Sequence, residues 1–230
     1  MVAATYPQDR TALLFVDPYN DFLSEGGKIW PRIEAVASEV GLLVNLRAIT
    51  AAVRAAGIQV VIVPHRRWEP GDYEDWEQPT PTQLRSGKAQ AFARGSWGGE
   101  WHPDFAPRAG DIVIAEHWGS SGFTNTDLDF RLKQRGIVKV IVIGLLANTC
   151  IESTGRFAAE LGYHVTLVKD ATAAYTEEMM YAAHELNGPT FAHEILTTSD
   201  LVAALRRGER QRAPASNGTA GTATRSRFRV

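Results

Sequence analysis

The chain has 230 residues, 44% of them hydrophobic and 22% charged, with a formal net charge of −2. That composition supports a real core and excludes a globally disordered chain, and the length suits one α/β domain better than two. Seven arginines lie from Arg206 onward, so the body of the chain is distinctly acidic, which argues against nucleic acid or an anionic membrane as partner.

The lone thiol, Cys150, has no intrachain disulfide partner, so no oxidising compartment is implied. The first apolar run, 12–16, is too short for a signal core or a membrane span. The expectation is a soluble, cytoplasmic protein.

In chain order, β-branched apolar runs at 11–17, 59–64, 111–115, 138–143 and 163–169 predict buried strands, and a weaker one lies near 194–197. Ile33, Val36, Val40, Leu43, Ile49 and Val53 follow one helical stripe between Pro31 and Gly57. Shorter helices are predicted over 127–134, 151–161, 177–186 and 200–205. The alternation predicts a three-layer α/β/α fold, with a mostly parallel sheet of five or six strands wound as in Rossmann-like proteins. Residues 65–108, rich in Pro, Gly, Trp and charge, read as an insertion shaping a pocket. One domain is expected over 1–207, followed by a disordered basic tail at 208–230.

Ligands of open α/β sheets bind beyond the carboxyl ends of the strands. Those ends carry Asp17, His65, Glu116 with His117, and the segment running to Cys150. A cysteine in the first turn of a helix has its thiolate stabilised by unpaired amides and the macrodipole, and the same amides can hold an oxyanion. Asp17 can take the thiol proton. Each residue also has a plainer reading: Cys150 as a small packed hydrophobe, and Asp17 as a turn residue before Pro18.

The stretches ALLFVDPYNDFLSEGG (12–27) and TDLDFRLKQRGIVKVIVIGLLANTCIESTGRFAAELGYHVTLVKDATAA (126–174) resemble the isochorismatase-like cysteine hydrolases, over roughly residues 8–205. That superfamily includes nicotinamidases, N-carbamoylsarcosine amidase, biuret and maleamate hydrolases, and a streptothricin-opening lactam hydrolase. The resemblance implies Cys150 as nucleophile, Asp17 as general base, the amides of Leu146 and Cys150 as the oxyanion site, and a cis Leu145–Leu146 peptide. It implies hydrolysis of a C–N bond in a small amide, lactam or ureide through a thioester, and a homodimer or homotetramer. A vinyl-ether hydrolase, or a non-catalytic binding protein on the same fold, is the alternative.

Two departures stand out. The family usually has a Lys at the end of the third strand, where this chain aligns Glu116, with His117 next. Either Glu116 acts protonated, or it turns away and His117 supplies the cation, or Glu116 is a structural acid paired with an arginine such as Arg66. Nicotinamidase-type members hold zinc through an Asp-x-His and a further His after the second strand. The segment from His65 to Tyr73 lacks that set, so neither metal nor cofactor is expected. Pocket walls are expected from Phe22, Trp30, His65, Trp68, Trp97, Trp118 and Phe123. Asp72, Glu74, Asp75, Glu77 and Glu100 read either as a solvated charged loop or as the sign of a cationic substrate.

Overall fold

Every residue of β1 (Thr11–Val16) is buried, as expected of a central strand covered on both faces. The computed structural model describes residues 5–212. Six strands, β1, β2 (Gln59–Val63), β3 (Ile112–Val113), β4 (Lys139–Leu145), β5 (His164–Ala173) and β6 (Glu194–Leu196), form one parallel sheet in the order β3-β2-β1-β4-β5-β6. The reversal of strand order beside β1 opens a crevice above its carboxyl end.

Alternate residues of β1 feed two cores. Leu13 and Phe15 join the cluster containing Ile33, Leu42, Leu46, Ile49, Val53 and Leu201. These come from α2 (Trp30–Glu39), α3 (Leu42–Ala55) and α8 (Thr198–Arg212). Ala12, Leu14 and Val16 face the cluster with Leu128, Leu132 and Ala158 from α5 (Leu128–Lys133) and α6 (Glu152–Glu160). A short helix α1 (Asn20–Leu23) follows β1 directly.

The helical stripe over 33–53 is divided. Gly41 takes a left-handed conformation, φ 68°, and α2 meets α3 at a bend of 72°. Residues 65–108 hold a helix of their own, α4 (Pro81–Ala89), whose first turn is fixed by a reciprocal Thr80–Gln83 capping box. The helix expected over 177–186 is α7 (Glu177–Tyr181) followed by a π-helical turn, Ala182–Asn187. The backbone of α8 continues to Arg212, so the helix passes the boundary expected at 207; the rest of the expected tail lies outside the described residues. Among the described residues no single helix is long and apolar enough to cross a membrane.

Gly144 sets how closely β4 approaches β1. Its φ is 115°, and a Cβ there would lie 2.0 Å from the Val16 carbonyl oxygen. Gly144→Ala is therefore expected to destabilise the fold by about 3 kcal/mol or more, read from the denaturant midpoint. The matching change at Gly110, φ 91° with nothing within 4 Å of the added carbon, should cost only about 1 kcal/mol.

Candidate active site

Asp17 follows β1 immediately and is fully buried. Its N–H donates to the Val63 carbonyl at 3.0 Å, continuing the ladder to β2, while its φ of 56° turns the chain off the sheet. Left-handed backbone at a non-glycine residue is uncommon and gathers at functional sites. Tyr19 N–H closes the turn on the Asp17 carbonyl at 2.8 Å.

His117 reaches the same point from the neighbouring edge. Beyond the end of β3 it pairs with His65 in a parallel bridge, its N–H donating to Pro64 O at 2.9 Å. Its Nε2 lies 3.0 Å from Asp17 Oδ1 and its Nδ1 2.7 Å from Gly119 O. Both ring nitrogens face oxygen acceptors, an arrangement that favours the doubly protonated ring. Burial alone would depress its pKa, but the Asp17 charge and hydrogen bond, with help from Gly119 O and Glu116, raise it above the usual histidine value.

Cys150 approaches from β4. The Leu145–Leu146 peptide is cis, and Cys150 stands in a π-helical turn, Ala147–Ile151, that leads into α6. Its sulfur, one ring nitrogen of His117 and one carboxylate oxygen of Asp17 lie within 4.8 Å of one another. The Leu146 backbone hydrogen-bonds the sulfur, and the Thr149 hydroxyl is 3.9 Å from it. Asp17 Oδ2 is buried with no hydrogen-bond partner, and the thiol is the group that lies beside that carboxylate. A carboxylate, an imidazole and a thiol can also share a cation.

Burial, the Asp17 charge and the Asp17 hydrogen bond push the Cys150 thiol well above its ordinary pKa, outweighing Thr149 and Leu146. The resting group is thus a neutral thiol. This differs from a thiolate held by a helix start, because the sulfur precedes α6 and faces a carboxylate. What the arrangement offers is a proton acceptor next to the thiol.

Glu116 is not brought into this cluster. Adjacent residues face opposite ways, and its carboxylate turns to Arg67 Nε at 2.7 Å, Arg94 at 3.1 Å and Arg66 at 3.5 Å. Burial would raise its pKa, but the Arg67 hydrogen bonds and the Arg67 and Arg94 charges hold it below the usual carboxylate range. It is an ionised acid anchoring the segment after β2, the arginine-paired alternative rather than a protonated donor.

Cys150 opens into a cavity of about 130 Å³, lined also by Phe22, Ile29, Arg32, His65, Thr82, Arg85, Ser86, Ala89, Ala91, Phe92, Leu146, Thr149 and Tyr175. Of the pocket residues expected from sequence, Phe22 and His65 line it. His65 is held neutral by burial and by the nearby His117 charge. The others stand elsewhere, because each has a packing partner away from the thiol. Trp30 lies against the α2 core and Phe123 against Tyr163. Trp118 meets Trp76, Tyr73 and Arg66, while Trp68 is a half-buried link whose backbone pairs with Ala91 and Arg94. Trp97 is half exposed beside Gly26. No aspartate or glutamate lines this cavity; Asp72, from the acidic group, is bound to Arg66 at 3.0 Å.

The isochorismatase domain family matches residues 11–200. The chain belongs to the isochorismatase family. Within it, the chain is 34% identical over 198 residues to a ureidoacrylate amidohydrolase, RutB, of Yersinia enterocolitica, covering 81% of this chain and 85% of the relative. The structure superimposes on a cysteine hydrolase from Pseudomonas syringae pv. phaseolicola with a TM-score of 0.72 at 25% identity, covering 90% and 100% of the two chains. It also matches N-carbamoylsarcosine amidase from Thermoplasma acidophilum, TM-score 0.63 at 27% identity, covering 82% and 96%. The isochorismatase fold accounts for the convergence of strand ends on Asp17, His117 and Cys150.

Several lining residues were missed in the sequence. Arg32 lies on the stretch read as a helix, Thr82 and Arg85 lie in the 65–108 insertion where no helix is predicted, and Tyr175 follows the β5 run. The signal for α4 was present as Thr80-Pro81 with Gln83 three residues after the cap.

Proposed function

We propose that the protein hydrolyses a C–N bond of a small amide or ureide, with Cys150 as nucleophile. The observation that carries this is a buried neutral thiol that lies beside the Asp17 carboxylate and opens into a cavity. The ureidoacrylate amidohydrolase and N-carbamoylsarcosine amidase relatives support the same bond type.

Asp17 takes the Cys150 proton as Sγ attacks the carbonyl carbon. The charge that develops on the carbonyl oxygen is held by the backbone N–H groups of Leu146 and Cys150. Asp17 then passes the proton to the leaving nitrogen, and the C–N bond breaks to leave a thioester. Water, deprotonated by Asp17, attacks the thioester, and the proton returns to sulfur as the acid departs. His117 stays charged throughout, orienting the carboxylate and offsetting negative charge that moves between Asp17 and the substrate.

The test is an ammonia- or amine-release screen over ureides, carbamoyl amino acids and simple amides, with Cys150→Ser beside the native chain. Turnover should occur with the native protein and fall by at least ~10³-fold in the variant, whose melting temperature should hardly change. Equal turnover by both chains would overturn the assignment of the nucleophile. The native chain inert toward every C–N substrate tried, while still binding them, would favour a binding protein instead.

A further inference from the structure

We infer that Asp17, His117 and Cys150 form a binding site for one thiophilic divalent cation of the zinc type, and that the cation silences the thiol while it is bound. One carboxylate oxygen, one ring nitrogen and the sulfur lie within 4.8 Å of one another, and all three residues are buried. A tetrahedral zinc with bonds of about 2.0–2.3 Å holds its donors roughly 3.5 Å apart, so the three need to draw in by little more than about 1 Å. Among the described residues no other three acids, histidines or thiols come this close together. The place differs from that of the zinc in nicotinamidase-type members, since the Asp-x-His and further His of that site are missing from the segment after β2.

Two features of the cluster point to a ligand rather than to packing. Asp17 is fully buried, and its Oδ2 has no hydrogen-bond partner. A carboxylate oxygen left bare away from water costs free energy, and a cation offsets that cost. His117 is held as metal-bound histidines are held. Its Nδ1 faces the Gly119 carbonyl at 2.7 Å, which keeps a proton on that nitrogen and presents Nε2 to Asp17 at 3.0 Å. A lysine in this position would offer no lone pair while charged, whereas the imidazole offers one once the Nε2 proton leaves.

Charge balance suits a dication. With His117 protonated and the thiol neutral, Asp17 and His117 cancel. Binding releases two protons to solvent, one from Sγ and one from Nε2, as one dication enters. The net charge of the buried cluster is then zero before and after, so no uncompensated charge is left away from water. Thiolate and imidazole donors select zinc or cobalt over magnesium and calcium, which prefer oxygen shells. The cavity of about 130 Å³ at Cys150 gives the ion a way in and leaves a fourth position for water. A sulfur bonded to the cation is a poor nucleophile, and Asp17 is no longer free to take its proton. Zinc therefore acts as a reversible block on the C–N hydrolase, while the binding itself does not depend on that reading.

The test titrates the untagged, metal-free native chain with cobalt(II) and zinc, beside Cys150→Ser, His117→Gln and Glu116→Gln. Cobalt should give a thiolate-to-metal charge-transfer absorption that saturates at one ion per chain, is displaced by zinc and is absent from Cys150→Ser. Zinc affinity, read by competition with a chromophoric chelator, should fall by at least ~100-fold in Cys150→Ser and in His117→Gln, the upper end of what losing even a supporting partner costs. Glu116→Gln, whose side chain faces the arginines, should bind as the native chain does. Zinc should shield Cys150 from iodoacetamide, and magnesium should not. With a C–N substrate in hand, stoichiometric zinc should abolish turnover and a chelator should restore it. Zinc held equally by the native chain and by Cys150→Ser, or no cobalt–thiolate absorption, overturns the site. Turnover that rises with zinc overturns the block. Zinc bound through these residues by a chain that cleaves no C–N substrate supports the site while the hydrolase reading fails.

Discussion

Replacing Asp17 with asparagine is expected to lower kcat/KM by at least ~10³-fold while making the Cys150 thiol easier to ionise. The two effects oppose each other, which is what makes the variant informative. The Asp17 charge and hydrogen bond both raise the thiol pKa, so removing the negative charge lowers it. If a low thiol pKa were the whole of catalysis, the variant would be faster. In the scheme derived from the geometry, Asp17 must accept the thiol proton, deliver it to the leaving nitrogen and later take one from water, and asparagine can do none of these. Asparagine matches the shape, can still accept from His117 Nε2, and tolerates the left-handed φ of 56° better than most residues. A collapsed fold is therefore not the expected cause of any loss. The measurement pairs kcat/KM with the pH dependence of iodoacetamide alkylation. A variant within tenfold of native activity would remove Asp17 from the mechanism.

The sheet and its chemically loaded edge were legible because parallel topology alone brings the strand ends together. Asp17 after TALLFV and Cys150 after KVIVIGL stand at the carboxyl ends of two predicted strands, and the structure pairs those strands side by side in parallel. The break at Gly41 was less visible. Its neighbours keep an apolar period, and nothing in that period says that one glycine takes positive φ and turns the helix by 72°. Length was the weak guide for α8 too, since a polar surface helix and a disordered tail share a composition.

The choice between Glu116 and His117 was not legible. β3 is regular only over Ile112–Val113, so counting alternation onward to 116 and 117 has no firm origin. What decides it is tertiary: the bridge between His65 and His117 fixes the register, and Arg66, Arg67 and Arg94 draw Glu116 to the other side. The tryptophans misled for a related reason. Loop aromatics close loops onto one another, as Trp118 with Trp76 or Tyr19 with Trp101, whereas the residues that line the cavity with Cys150 include small ones from α4, a helix held by its cap and by the Gln83 bond to Trp118 O.

His117 should set an alkaline limit on both activity and stability. Its pKa is raised above 6.5 in the folded protein, through Asp17 beside Nε2, Gly119 O beside Nδ1 and the more distant Glu116, against burial and with His65 neutral next to it. A raised folded-state pKa contributes stability that is fully present below about pH 6.5, the unfolded value, and is lost as pH rises through the folded value. The same deprotonation leaves a buried Asp17 without its cation, so kcat/KM should fall over the same interval. His117→Gln keeps a donor to Asp17 but no charge and is expected to lose ~10²-fold in kcat/KM at neutral pH, with the alkaline limb flattened. His117→Lys restores a cation of higher intrinsic pKa, about 10.4, and should move the limb upward by at least one pH unit if the fully buried site accepts the longer chain. Glu116→Gln, by contrast, should cost stability through the arginine cluster and leave turnover near native. A pH profile from 5 to 10 on the four proteins decides the matter: an alkaline limb that stays in place in both His117 variants means that the ring only packs against Asp17, and that some other group carries the titration.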